Sequence, residues 1–156
     1  INMSLTYRRR SAAIDLLLEM AAERGIVVVV ATGNDGLESV PFPASDAHVL
    51  AVTGTDTTGS ELAPFANRSP LVVMAAPAID VCGAVDDLRW GSWSGTSLAA
   101  PFVSGTVALV RSADPGLDPA LVVETVEQGG RPLTSADWSG RLVDVAATLE
   151  LVHAGP

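Results

Sequence analysis

Two short glycine-containing turns hold the residues of this 156-residue chain best suited to do chemistry. In Gly95-Thr96-Ser97-Leu98-Ala99-Ala100-Pro101 a serine stands among small residues, directly ahead of the apolar run Phe102 to Val110. That run reads as a helix. The Ser97 hydroxyl then falls in the first turn, at the positive end of the macrodipole and among backbone N–H groups with no partner inside the helix. Those groups stabilise an oxyanion forming beside the hydroxyl, which is what acyl transfer requires. Taken alone, the same residues also describe an ordinary helix-cap serine. The second turn, Ala31-Thr32-Gly33-Asn34-Asp35-Gly36, follows the uninterrupted apolar run Ile26 to Ala31. Asn34 could donate its side-chain amide to a developing oxyanion, or simply serve as a turn residue that tolerates left-handed backbone.

A nucleophilic serine needs a base, and here the chain is poor. It has two histidines: His48, in a loop before an apolar run, and His153, close to the C-terminus. Both read as surface or loop histidines. Cys82, the single cysteine, reads as a small buried hydrophobe and forms no internal disulfide. The acidic pair Asp86-Asp87 reads as a solvated loop, and no Asp/Glu cluster has convincing calcium-ligand spacing.

The elements that must position these residues alternate. Ile1 to Leu5 has strand character. Ser11 to Gly25 follows as a helix with Ile14, Leu17, Leu18 and Ala21 on its apolar face and Asp15, Glu19 and Glu23 opposite, Ser11 capping and Gly25 terminating. Ile26 to Ala31 lacks polar alternation, as a strand covered on both faces does, so the first thirty residues or so form a βαβ unit. Val49–Thr55 and Leu71–Ala75 are further strand candidates, and Val81 to Trp93 has room for a hairpin. The helix after Ser97 ends near Arg111–Pro115. Asp118-Pro119 opens another that runs to Gln128 and stops at Gly129. Arg141–Val145 is a late strand and Ala146–Val152 a helical tail. The expected fold is α/β, a mostly parallel sheet with helices on both faces, in which ligands bind at the carboxyl ends of the strands.

Apolar residues make up 48% of the chain and charged residues 17%, which excludes a disordered tail. The net charge of −9, with every one of the 9 basic residues an arginine and no basic stripe, argues against a nucleic-acid partner. The longest apolar run is far too short to span a bilayer. Ile1 opens as though a strand were already under way, which gives the expectation of a chain cut into and not begun.

Together, in this order, the two turns resemble those of the subtilisin-like serine proteases, the subtilases. Gly95 to Pro101 is similar to that family's nucleophile motif, and Val28 to Gly36 to its oxyanion-asparagine strand and turn. Phe42-Pro43-Ala44, Phe65-Ala66-Asn67, Val73 to Pro77 and Gly140 to Val145 resemble further family stretches, so the likeness runs through nearly all of residues 1–156. It implies a serine endopeptidase in which Ser97 is the acylated nucleophile, and its own N–H with the Asn34 amide forms the oxyanion hole. It also implies a first specificity pocket lined by Ala31, Thr32 and Gly33, and a substrate-channel wall of Ser4, Leu5 and Thr6 to which a peptide adds as a strand. These small or polar residues do not exclude a large hydrophobic substrate side chain. Thr6 and Tyr7 stand where the family usually has glycine, which narrows the upstream subsites. Arg8, Arg9 and Arg10 could favour acidic substrate residues or merely solvate the helix start. An α/β-hydrolase elbow is excluded because Ala99 stands where it needs glycine, and a sedolisin because Asn34 stands where it uses aspartate.

The family's Asp-Thr-Gly and His-Gly-Thr motifs are not found in this chain. The resemblance therefore implies the C-terminal half of a subtilase catalytic domain, whose partner is an N-terminal half bearing the acid and base. Alone, such a fragment is expected to be sticky, marginally stable and without peptidase activity. The alternatives are a non-catalytic peptide-binding module of the same type and an inactive truncated fragment. No cofactor is expected, with calcium implied only by family habit, as is a location outside the cytoplasm.

Overall fold

The computed structural model describes residues 1–86 and 89–154. A six-stranded sheet forms its centre, in the order β1 (Asn2–Met3), β2 (Val29–Ala31), β3 (Leu50–Thr55), β4 (Met74–Pro77), β8 (Trp138–Leu142), β7 (Arg131–Ser135). All pairings from β1 to β8 are parallel, and only the terminal β7–β8 hairpin is antiparallel. Four helices accompany it: α1 (Ala12–Glu23), α2 (Thr96–Ala113), α3 (Pro119–Gly129) and α4 (Val145–Ala154). A separate two-stranded hairpin, β5 (Val81–Ala84) with β6 (Trp90–Trp93), leads into the turn that holds Ser97.

The apolar run before Asn34 explains the layering. Side chains alternate across a strand, so an unbroken Val run needs cover on both faces. Val28 and Val30 pack with Leu18 and Ala21 of α1, whereas Val29 and Ala31 pack with Ala99, Val103, Val107 and Val110 of α2 and with Val122 and Val126 of α3. The expected mostly parallel sheet with helices on both faces is therefore present.

Local signals set the helix ends. Asp118 accepts from the Ala120 N–H at 2.8 Å with Pro119 behind it, as its cap-and-proline spacing predicts. Ser11 occupies the N-cap of α1, yet its side chain makes no capping bond.

Several expectations need correction. Leu17 is 61% exposed, because α1 turns only Leu18 and Ala21, with part of Ile14, onto the sheet and leaves Leu16 and Leu17 facing outward. Cys82 is exposed, since β5 belongs to a two-stranded hairpin outside the main sheet. The strand expected at Leu71 begins three residues later, at Met74, and Leu71 is 80% exposed. The late strand is Trp138–Leu142, and β7 is an element the sequence reading lacks. Asp86 is exposed and accepts from Arg89, while Asp87 lies outside the described residues.

The loop between β1 and α1 is pinned by charge. Arg10 binds Asp15 and the buried Asp46 and lies 5.3 Å over the Phe42 ring. It is thereby occupied, while Arg8 and Arg9 stay exposed. Burial alone would push the Asp46 carboxyl up. The His48 backbone N–H, the His48 ring and Arg10 outweigh it and hold the group below its ordinary value. Its contribution to stability is complete above about pH 4 and is lost as the pH falls through the lower native value. Asp46→Ala is expected to cost about 1–2 kcal/mol at neutral pH through the lost hydrogen bonds. Urea midpoints of variant and parent should converge in acid.

Candidate active site

The Ser97 turn and the Asn34 turn meet at the carboxyl ends of the parallel strands, where such sheets bind ligands. The contact between them runs through Thr96. Its Oγ1 accepts from the Gly33 N–H at 3.1 Å and donates to Asn34 Oδ1 at 2.9 Å, and its backbone N–H donates to the same Oδ1 at 2.9 Å. An oxygen receiving a backbone N–H cannot be the amide nitrogen, so the orientation of the Asn34 side chain is fixed by bonding. Its Nδ2 is left without a partner among the described residues, beside the start of α2. Gly95 makes the approach possible: at φ +153°, a Cβ on it would lie 3.3 Å from Asn34 Nδ2. Thr96→Val keeps the backbone bond and removes the hydroxyl link. It is expected to lower turnover about tenfold by loosening the amide, and Thr96→Ser should restore most of the loss.

A second asparagine holds the turn from behind. Asn67 is fully buried; its Oδ1 accepts from the Asp35 and Leu37 N–H groups at 3.0 Å each, and its Nδ2 donates to the Thr32 carbonyl at 3.0 Å. Its backbone N–H donates to the Gly33 carbonyl and its own carbonyl accepts from Thr53 Oγ1. The sequence displays Asn67 only as part of Phe65-Ala66-Asn67. Its role follows from a meeting of loops more than thirty residues apart, which no local pattern signals.

Ser97 lies half-buried in the first turn of α2, where its N–H has no intrahelical acceptor. Pro101 sits four residues further on and has no N–H to return to the Ser97 carbonyl. Ser4 Oγ takes that place, donating to the freed carbonyl at 2.8 Å. Ser4 Oγ in turn accepts from Asn2 Nδ2, and Asn2 Oδ1 accepts from Ser104 of α2. Pro101 thus ties the Ser4 segment to the first turn of α2. The Ser97 hydroxyl reaches only the Ser4 carbonyl, at 3.4 Å.

The remaining expected site residues divide by exposure. Ser4, Leu5 and Thr6 are exposed along one side of the site, whereas Ala31, Thr32 and Gly33 are buried and the Thr32 hydroxyl has no partner among the described residues. His48 sits before β3, at the end of the sheet away from Ser97, bound to Asp46; His153 is exposed on α4. Neither forms part of the Ser97 surroundings. Among the described residues no three His, Cys, Asp or Glu side chains gather as a metal site. No helix among them is long and apolar enough to cross a membrane.

Comparison with known proteins agrees with the geometry. The sequence model of the Subtilase family matches residues 1–136. A thermostable alkaline protease of Halalkalibacterium halodurans is 34% identical over 99% of this chain and 40% of its own length. A subtilisin of Bacillus pumilus is 30% identical over 96% of this chain and 56% of its own. Among solved structures, a protease of Pseudoalteromonas arctica superposes with a TM-score of 0.86 at 26% identity, covering 97% of this chain and 50% of that one. The prenylagaramide maturation protease PagA gives 0.82 at 27% identity, over 100% and 62%. The chain thus spans from two fifths to just over three fifths of these relatives. On its motifs, its fold and these matches, the chain belongs to the subtilase family.

Proposed function

We propose that this chain supplies the nucleophile and oxyanion hole of a serine endopeptidase whose acid and base lie outside residues 1–156. The observation that carries this reading is the Asn34 amide. Its oxygen is committed to Thr96, so its N–H groups are left pointing for use beside Ser97. In the reaction Ser97 Oγ attacks the scissile carbonyl and gives its proton to an imidazole. The tetrahedral oxyanion lies between Asn34 Nδ2 and the Ser97 N–H, and collapse expels the amine and leaves an acyl-serine that water hydrolyses. Within this chain no imidazole reaches Ser97, whose hydroxyl remains an unactivated alcohol.

The missing groups would come with a segment that adds to β1. Among the described residues that strand pairs only with β2 and forms the open edge of a parallel sheet, an arrangement normally covered. Leu5, Leu16 and Leu17, 40%, 56% and 61% exposed, supply apolar surface for it. A polypeptide substrate would pair with Ser4–Thr6 as an added strand. The test is fluorophosphonate labelling and peptide hydrolysis. Residues 1–156 alone should stay unlabelled, whereas the chain combined with an Asp- and His-bearing segment should label at Ser97 and hydrolyse peptide, with Ser97→Ala inert. Stoichiometric labelling of the isolated chain, or an inert combination, defeats the reading.

A further inference from the structure

Small residues at 31–33 would leave room for a large substrate side chain, but the Thr6 side chain stands on the open side of Gly33. Ala31 and Thr32 are 2% and 0% exposed and Gly33 is buried, although these residues form one wall of the expected pocket. Ala31 is buried against α2, and Thr32 and Gly33 are bonded from behind by Asn67 and Thr96, so what the facing segment adds is confined to the open side of Gly33. Ser4 and Thr6, two residues apart, both turn toward the site: Ser4 Oγ reaches the Ser97 carbonyl, and Thr6 Cγ2 lies 3.4 Å from where a Cβ on Gly33 would stand. At that separation the Thr6 methyl would be in van der Waals contact with an atom at the Gly33 Cβ position, so it stands in the space a substrate side chain would take beside Gly33. Gly33 cannot yield, because Asn67 Nδ2 lies 2.6 Å from the same Cβ position and φ there is +97°. Thr6 is itself exposed, so it covers the mouth of the crevice, and its β-branched side chain has few rotamers to escape into.

We propose that Thr6 plugs the primary specificity crevice. The protease then takes polypeptides with glycine, alanine or serine on the acyl side of the scissile bond and rejects aromatic and long aliphatic residues there. This rests on the serine-peptidase reading.

The test uses the protease domain complete with its acid and base. Its substrates are succinyl-Ala-Ala-Pro-Ala-p-nitroanilide and the matching Phe substrate. The parent should favour alanine in kcat/KM by about tenfold or more, a size set by the few methylenes a pocket can discriminate. Thr6→Gly should move the Phe/Ala ratio at least tenfold toward Phe, and Thr6→Ser part of the way. Thr6→Val, which keeps a methyl, should leave the ratio in place. A parent that prefers Phe, or a ratio unmoved in Thr6→Gly, overturns the plug. Calorimetric binding of the two tetrapeptide acids to Ser97→Ala reads the same preference without turnover. Tighter binding of the alanine peptide when neither anilide is hydrolysed would sink the peptidase reading and support the plug. Equal binding of the two would sink the plug alone.

Discussion

Asn34→Ala in the complete protease domain is expected to lower kcat by roughly 10²–10³ while KM changes little. That size is carried over from the corresponding donor in a subtilisin, the family to which this chain is related. The argument for applying it is local. Thr96 holds Asn34 Oδ1 through two donors, so Nδ2 is already oriented before substrate arrives and needs no reorganisation when charge develops. A donor so placed strengthens in the transition state more than in the ground state, so the loss should fall on kcat. Asn34→Asp separates this role from a structural one. It retains an oxygen for Thr96, so the turn should keep its shape, yet it replaces the free N–H groups with a carboxylate oxygen facing the oxyanion. It should therefore damage kcat at least as much as alanine does. Steady-state kinetics on a peptide anilide checks both variants, and a near-parental kcat in either removes Asn34 from the oxyanion hole.

Asn67→Ala should destabilise the fold by roughly 3 to 5 kcal/mol, because it leaves several polar groups unpaired in or near the interior. The variant strips partners from the Asp35 and Leu37 N–H groups and from the Thr32 carbonyl. Those three groups bracket Asn34, so any folded population should also turn over more slowly as the oxyanion turn loosens. Asn67→Asp keeps an acceptor for both N–H groups but sets a buried carboxyl oxygen against the Thr32 carbonyl, so it should cost clearly less than alanine only in mild acid, where the protonated group donates to Thr32. Urea unfolding of the complete domain gives the comparison. Equal losses for the two variants in mild acid would show that the two N–H bonds carry none of the effect.

The parts of this protein legible in its sequence are those set by neighbours a few residues apart. The turn at Asn34, the first turn at Ser97, the Asp118 cap and the two-faced burial of Val28 to Ala31 each follow from local sterics, orphan N–H groups or side-chain alternation. The β7–β8 hairpin was not legible. Arg131–Ser135 carries a proline and only one buried apolar side chain, Leu133, so no strand pattern stands out, and the hairpin is held by contacts remote in sequence, such as Trp138 Nε1 donating to the Val72 carbonyl at 2.8 Å. Hydrophobicity alone points Leu17 and Cys82 inward, and which side of an element meets the core depends on packing partners the local pattern does not name.

The opening pair of turns shows the same division. Residue identity established a serine in a helix's first turn and an asparagine after a buried strand, and with them the kind of chemistry available. Folding established the rest: Thr96 aligning the Asn34 amide, Asn67 bracing the turn, and Ser4 on the carbonyl that Pro101 frees. Each of these joins segments about thirty to ninety residues apart. Their distances are fixed by the parallel sheet that brings strand ends together, and a linear reading contains the residues without those distances.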